Sequence, residues 1–320
     1  MKLGVLTVMY DELPLEKVAK RVSELGYEAI ELVAWKGGRH LDIDAVVDRG
    51  DLRVKRLAEK YGLTISALSN HMEGQLVLGP HDASTDPIYK GAPSEKVKYG
   101  IARMKKTAEA AKQLDVPVVC GFVGCPNWSA WYNFPPAYEK EYDGYFKLFA
   151  ERWGEIMDKY HSEGVKFAHE VHPQEVAYNI ETSELALKAI GKRKEFGFNF
   201  DPSHFVWQLI DPVQFIKKFG DRIYHSHAKD AELVEESLRA EGVIPHGAWM
   251  RPNRGFRFRV PGWGQVPWRR VFTAFAEVGY DYVMSYEHED PVMSREDGLE
   301  KAMSFLKPLL IKERLKKVWW

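Results

Sequence analysis

Four segments in the second half of the chain each run from apolar residues into a cluster of carboxylates and imidazoles. The first reads Phe167, Ala168, His169, Glu170, Val171, His172, and the second Phe198, Asn199, Phe200, Asp201, Pro202, Ser203, His204. The third reads His225, Ser226, His227, Ala228, Lys229, Asp230, and the fourth Ser285, Tyr286, Glu287, His288, Glu289, Asp290. One polar segment end would carry little information, because loops are polar everywhere. Four in succession point to a shared cation. With one donor from each, Glu170, Asp201, His227 and Glu287 make a hard, oxygen-rich set of three carboxylates and one imidazole. It suits Mn²⁺ best or Mg²⁺, and is able to take Co²⁺, Fe²⁺ or Zn²⁺. His225 shares a strand face with His227 by alternation; His227 is the favoured ligand because it lies nearer the strand end. Such a set leaves room for two substrate oxygens, a carbonyl and its neighbouring hydroxyl, and a polarised carbonyl acidifies the adjacent C–H. Glu170 and Glu287 could then face one another across that carbon, one removing a proton and the other returning it. His71 follows an earlier apolar run and reads equally as a residue that reaches the same substrate or as a solvated loop histidine.

These ends matter only if the fold gathers them. Short apolar runs alternate with longer amphipathic ones along the whole chain. Strands are expected at 2–8, 27–33, 63–68, 116–122, 165–171, 195–200, 222–228 and 281–286. Helices are expected at 15–25, 51–61, 94–114, 142–162, 182–190, 211–219, 267–278 and 295–310, with Ser94 as an N-cap and Pro212 in a first turn. Strict alternation argues a parallel sheet, and eight units argue closure into a (β/α)8 TIM barrel, whose strand C-termini carry the chemistry. A nucleotide-binding open sheet would place a glycine-rich turn after its first strand, where this chain has Met9, Tyr10, Asp11, Glu12. One barrel domain over residues 1–320 is therefore expected, with a long loop insertion at 230–261 after the seventh strand.

Composition narrows the function classes. Of 320 residues 45% are hydrophobic and 28% charged, a globular balance, and the net charge of −1 lacks the basic excess of most nucleic-acid binders. No apolar run approaches the length of a membrane span. Two cysteines, Cys120 and Cys125, are too few for a disulfide framework, so a cytoplasmic location is expected. The aromatic loop Trp128, Trp131, Tyr132, Phe134 reads equally as a lid over a sugar ring, a dimer contact or plain loop packing.

The motifs FDPSH, HSHAKD and YEHED, with RVPGWGQVPW between the last two, resemble the xylose isomerase-like barrels, a superfamily of sugar isomerases, epimerases, inosose dehydratases and the endonuclease IV group. In the epimerases a Glu, Asp, His, Glu set binds Mn²⁺ or Co²⁺ and the two glutamates act as acid and base. The resemblance assigns these roles to Glu170, Asp201, His227 and Glu287. It also makes His204, in the D-x-x-H motif, a substrate ligand, and it implies a homo-oligomer. The family's arginine before P-G-x-G corresponds to Arg257 or Arg259, of which Arg259 is favoured for substrate binding. Lys229 and Asp230 follow the H-x-K-D ending of inositol-pathway members, and Lys229 is a further candidate for substrate contact.

The leading expectation is a metal-dependent isomerase or epimerase acting on a ketose or keto-polyol through an enediolate. A lyase, a dehydratase or an enzyme cleaving 3-oxo-glycosides, would share the first proton transfer and then expel a β-leaving group. DNA repair of the endonuclease IV kind needs further ligands, including a histidine after the fourth strand, where Cys120, Gly121 and Phe122 stand instead. A barrel retained only for binding would have no reason to keep all four donors.

Overall fold

The computed structural model describes residues 1–132, 140–244, 246–315 and 317. Its barrel strands are β1 (Lys2–Leu6), β2 (Ala29–Val33), β3 (Thr64–Ser69), β4 (Val118–Gly121), β5 (Lys166–Glu170), β6 (Phe196–Phe200) and β7 (Ile223–Ala228). Two further strands, β8 (Asp230–Leu233) and β9 (Phe256–Arg259), precede the eighth stave, β10 (Val283–Tyr286). Eight parallel strands close in the order β1-β10-β7-β6-β5-β4-β3-β2, as the alternation predicts. The helices are α1 (Leu15–Glu24), α2 (Ile43–Arg49), α3 (Arg53–Lys60), α4 (His71–Gln75), α5 (Pro93–Gln113) and α6 (Glu141–Glu163). They continue with α7 (Ile180–Ala189), α8 (Pro202–Trp207), α9 (Pro212–Phe219), α10 (Glu235–Glu241), α11 (Trp268–Val278) and α12 (Arg295–Leu306). Among the described residues no helix is long and apolar enough to cross a membrane.

Strand β6 shows how the sequence sets the site. Phe198 and Phe200 are fully buried, and alternation sends them outward, where they meet Phe215 of α9 at 5.2 Å and Phe275 of α11 at 5.3 Å between ring centroids. Burying each such ring stabilises by roughly 1.5–3 kcal/mol. The same alternation turns Asn199 and Asp201 inward. Asp201 then caps α8: its Oδ1 accepts from the Ser203 amide at 2.8 Å, with Pro202 in the first turn.

Three helix details differ from the sequence reading. α5 begins at Pro93 with Ala92 rather than Ser94 at its N-cap, because proline tolerates the first turn and Glu95 reaches back to the Ala92 amide at 2.7 Å. α12 ends at Leu306, and Pro308 diverts the chain into a single 3-10 turn. The short helices α2, α4 and α8, of seven, five and six residues, give too few turns for a helical period to register.

The 230–261 segment is more than a loop. β8 and β9 form an antiparallel ribbon, with Asp230 opposite Arg259 and Leu233 opposite Phe256. Asp230 holds its base. Oδ1 accepts from the amides of Ala231 and Val266, both at 2.9 Å, and Oδ2 from the Gly262 amide at 2.9 Å and the Trp268 indole at 2.8 Å. Gly264 is required here, since a Cβ would come within 2.4 Å of Asp230 Oδ1 and of the Ala231 carbonyl oxygen.

Candidate metal centre

At the C-terminal mouth of the barrel, Glu170 ends β5, Asp201 follows β6, His227 lies near the end of β7 and Glu287 follows β10. One donor atom from each comes within 4.8 Å of all the others. Glu170, Asp201 and His227 are buried, and Glu287 is partly so. His227 Nδ1 lies 3.0 Å from Glu287 Oε2 and 3.3 Å from Glu170 Oε2. Asp201 Oδ2 is buried without a well-directed hydrogen bond, although Lys229 Nζ lies 3.1 Å and His204 Nε2 3.5 Å away. Three carboxylates and an imidazole converging on one point are the arrangement a divalent cation would relieve. The donors fit a hard divalent ion.

Sequence reasoning missed Glu31. It sits in the middle of β2, fully buried, with its carboxylate 3.2 Å from His227 Nε2 and hydrogen-bonded by the Ser69 hydroxyl. A lone charge in the apolar run Ala29, Ile30, Glu31, Leu32, Val33 was the available signal, because buried carboxylates need partners. Burial opposes its ionisation, but His227 and His225 outweigh that and bring its pKa down to about 2. Burial likewise opposes charge on His227, yet Glu31, Glu170 and Glu287 together hold its pKa well above the usual imidazole range. Glu170 stays well below the carboxylate range: burial is overcome by His227, His204 and His71.

His225 lies deeper, where Asn199 Oδ1 is 3.1 Å from its Nδ1 and the Ser66 hydroxyl 3.2 Å from its Nε2. Burial lowers its pKa to about 4, which leaves it neutral. Glu31, Cys120 and His225 form a second group of close donors, but burial pushes the Cys120 thiol well above its usual range, and a protonated thiol is a poor ligand.

The remaining candidates divide. His71, at the start of α4, places Nε2 2.9 Å from Glu170 Oε2, and His204 Nε2 lies 3.3 Å from Glu170 Oε1. Lys229 is buried within the cluster, 2.8 Å from Glu287 and 3.0 Å from Glu289. Arg259 is not part of it. Its guanidinium pairs with Asp290 at 2.9 Å and with Glu232, and so ties the ribbon to the loop after β10; Arg257 also pairs with Glu232, at 2.6 Å. Of the aromatic loop, Trp128 packs on Tyr178 with ring centroids 5.4 Å apart, whereas Phe134 and the Trp131 side chain lie outside the described residues.

Glu175, in the loop after β5, is buried, and its Oε2 accepts from the amides of Val123 at 2.8 Å and Gly124 at 2.6 Å. Burial outweighs these bonds and pushes its carboxyl up to about 8. The folded chain then keeps a proton that the unfolded chain has released. Its share of stability is full below the ordinary value of 4.5 and is lost as pH rises through about 8. Glu175→Gln, which keeps an acceptor, is expected to flatten that decline. Urea unfolding of both proteins at pH 5 and pH 8 checks it, and an identical decline in the two would remove the assignment.

A closed eight-stranded barrel defines a TIM barrel, and the carboxylate–imidazole cluster lies at its C-terminal mouth, the face where such barrels carry their active sites. A family profile described as xylose isomerase-like TIM barrel matches residues 19–309, and the chain belongs to that family. It is 27% identical over 326 residues to the uncharacterized protein YfiH of Bacillus subtilis (strain 168), covering 96% of this chain and 98% of YfiH. It is 30% identical over 93 residues to the inosose dehydratase of Lacticaseibacillus casei, covering 29% of this chain and 30% of that protein. The solved structure of the 3-keto-D-glucoside 4-epimerase YcjR from E. coli superposes with a TM-score of 0.68 at 13% identity, covering 96% of this chain and 99% of YcjR.

Proposed function

We propose that the chain is a divalent-metal-dependent isomerase or epimerase of a ketose or keto-polyol, with Mn²⁺ as the leading metal. The carrying observation is the convergence of Glu170, Asp201, His227 and Glu287, one donor atom from each lying within 4.8 Å of the others. The bound ion would act as a Lewis acid on the substrate carbonyl. Glu170, held ionised, removes the proton from the adjacent carbon, and Glu287 serves the opposite face. His204 and His71 flank Glu170 and orient it and the substrate hydroxyls. Lys229 supports a second reading, a lyase: its ammonium 2.8 Å from Glu287 is a proton donor for a leaving oxygen.

The test begins with chelation and reloading. Metal at about 100 times its Kd is expected to stabilise the protein by about 2.7 kcal/mol, read from melts with and without chelator. Reloaded protein incubated in D₂O with a panel of ketoses and inososes is expected to place deuterium beside the carbonyl. Exchange without loss of substrate supports the epimerase, and loss of water supports the lyase. Protein that retains no divalent ion, with exchange indifferent to chelation, overturns both.

A further inference from the structure

A cavity of about 240 Å³ opens beside the cluster, lined by Trp207 at the end of α8, by Trp249, Arg254, Phe256 and Phe258 of the insertion, and by His204. A void of about 150 Å³ is enough for a benzene ring, so this one holds a single substituted ring. Its walls are flat and aromatic: Trp207 stacks on Phe256 at 4.4 Å with 3° between the planes, and the His204 ring meets Phe258 at 5.3 Å. Trp249 stays 52% exposed at the rim, a large apolar surface that a ligand would cover.

The charge is more telling. The insertion holds five arginines. Arg239, Arg251, Arg257 and Arg259 each pair with a carboxylate of the chain. Arg254 pairs with none among the described residues, though it is only 7% exposed; its guanidinium carbon lies 4.2 Å from the Trp249 ring centroid and 5.5 Å from that of Phe256. Stacking satisfies the flat face of a guanidinium and leaves its in-plane N–H donors open, and those donors match a carboxylate.

We infer that this pocket binds an aromatic ring carrying a carboxylate, and that the ring is the part of the substrate remote from the reacting carbon. The first half stands on the pocket alone. The second rests on the metal-centre reading above, through His204, which lines the pocket and lies 3.3 Å from Glu170. The substrate class is then a sugar or polyol joined to an aromatic acid.

The probes are benzoate and its neutral counterpart benzamide, titrated into metal-stripped protein and followed by saturation-transfer NMR. Benzoate is expected to bind about tenfold more tightly than benzamide, the weight of one charge-assisted contact. Arg254→Gln is expected to erase that preference while benzamide binding persists, and Arg254→Lys to restore part of it. A Trp249→Leu variant, altered at an exposed rim position, is expected to weaken both probes. No saturable benzoate binding by the unaltered protein, or an undiminished preference in Arg254→Gln, overturns the assignment. Because the metal is absent throughout, failure of the metal reading leaves this result intact, and metal uptake without benzoate binding sinks only the pocket.

Discussion

Glu170→Gln and Glu287→Gln are each expected to lower turnover by about 10²- to 10⁴-fold, the usual weight of a positioned general acid or base, while the barrel stays folded. Glutamine keeps the shape and one oxygen donor but cannot take up a proton at working pH. The expectation is sharper for Glu170, whose carboxylate is flanked by His71 at 2.9 Å, His204 at 3.3 Å and His227 at 3.3 Å and so stays ionised and aimed. The measurement is the deuterium-exchange rate on whichever substrate the panel identifies, with metal content assayed beside it. Exchange at saturating metal separates loss of the base from loss of a ligand. Full rates in both variants would mean that the proton moves elsewhere.

The second large effect belongs to Glu31, which acts through His227. Glu31 lies 3.2 Å from Nε2, so with a cation held at Nδ1, which faces Glu170 and Glu287, the remaining proton would stay on Nε2. A carboxylate behind a metal-binding imidazole commonly fixes the ring and raises its basicity, and losing it costs about 10- to 100-fold in metal affinity. Glu31→Gln is expected to show that loss by calorimetric titration with Mn²⁺, with the fold kept. Glu31→Ala removes one side of a fully buried pair and is expected to cost about 3–5 kcal/mol in chemical unfolding. Unchanged metal affinity in Glu31→Gln would reduce Glu31 to a packing group.

How much of this the sequence discloses depends on distance along the chain. Glu170, Asp201, His227 and Glu287 were legible because each ends an apolar run, and a barrel gathers its strand ends whatever the loops do. Glu31 was not, because it interrupts a strand rather than ending one, and only closure of the barrel sets it against His227, 196 residues away in the chain. His71 is open in the sequence to two readings, a substrate contact or a solvated loop histidine; the short helix α4, capped by the Asn70 side chain, sets it 2.9 Å from Glu170. Arg259 shows the reverse. A motif position suggested substrate, yet the ribbon places it between Glu232 and Asp290, neither of which periodicity connects to it. The aromatic pocket was the least legible. Trp207 and Trp249 approach only once α8 and the folded insertion meet, and no local pattern encodes that meeting.

The Asp230 clasp separates two kinds of change. Both ends of the insertion are pinned by one carboxylate, so the span between them can be lengthened cheaply; each doubling of a flexible loop costs only about 0.6 kcal/mol. Trp249 and Arg254 ride on that span, whereas the proposed cation ligands are rooted in the staves. Graftable mouthpieces swapped at this knot would therefore reshape the aromatic pocket while the proposed cation ligands beneath stay as they were.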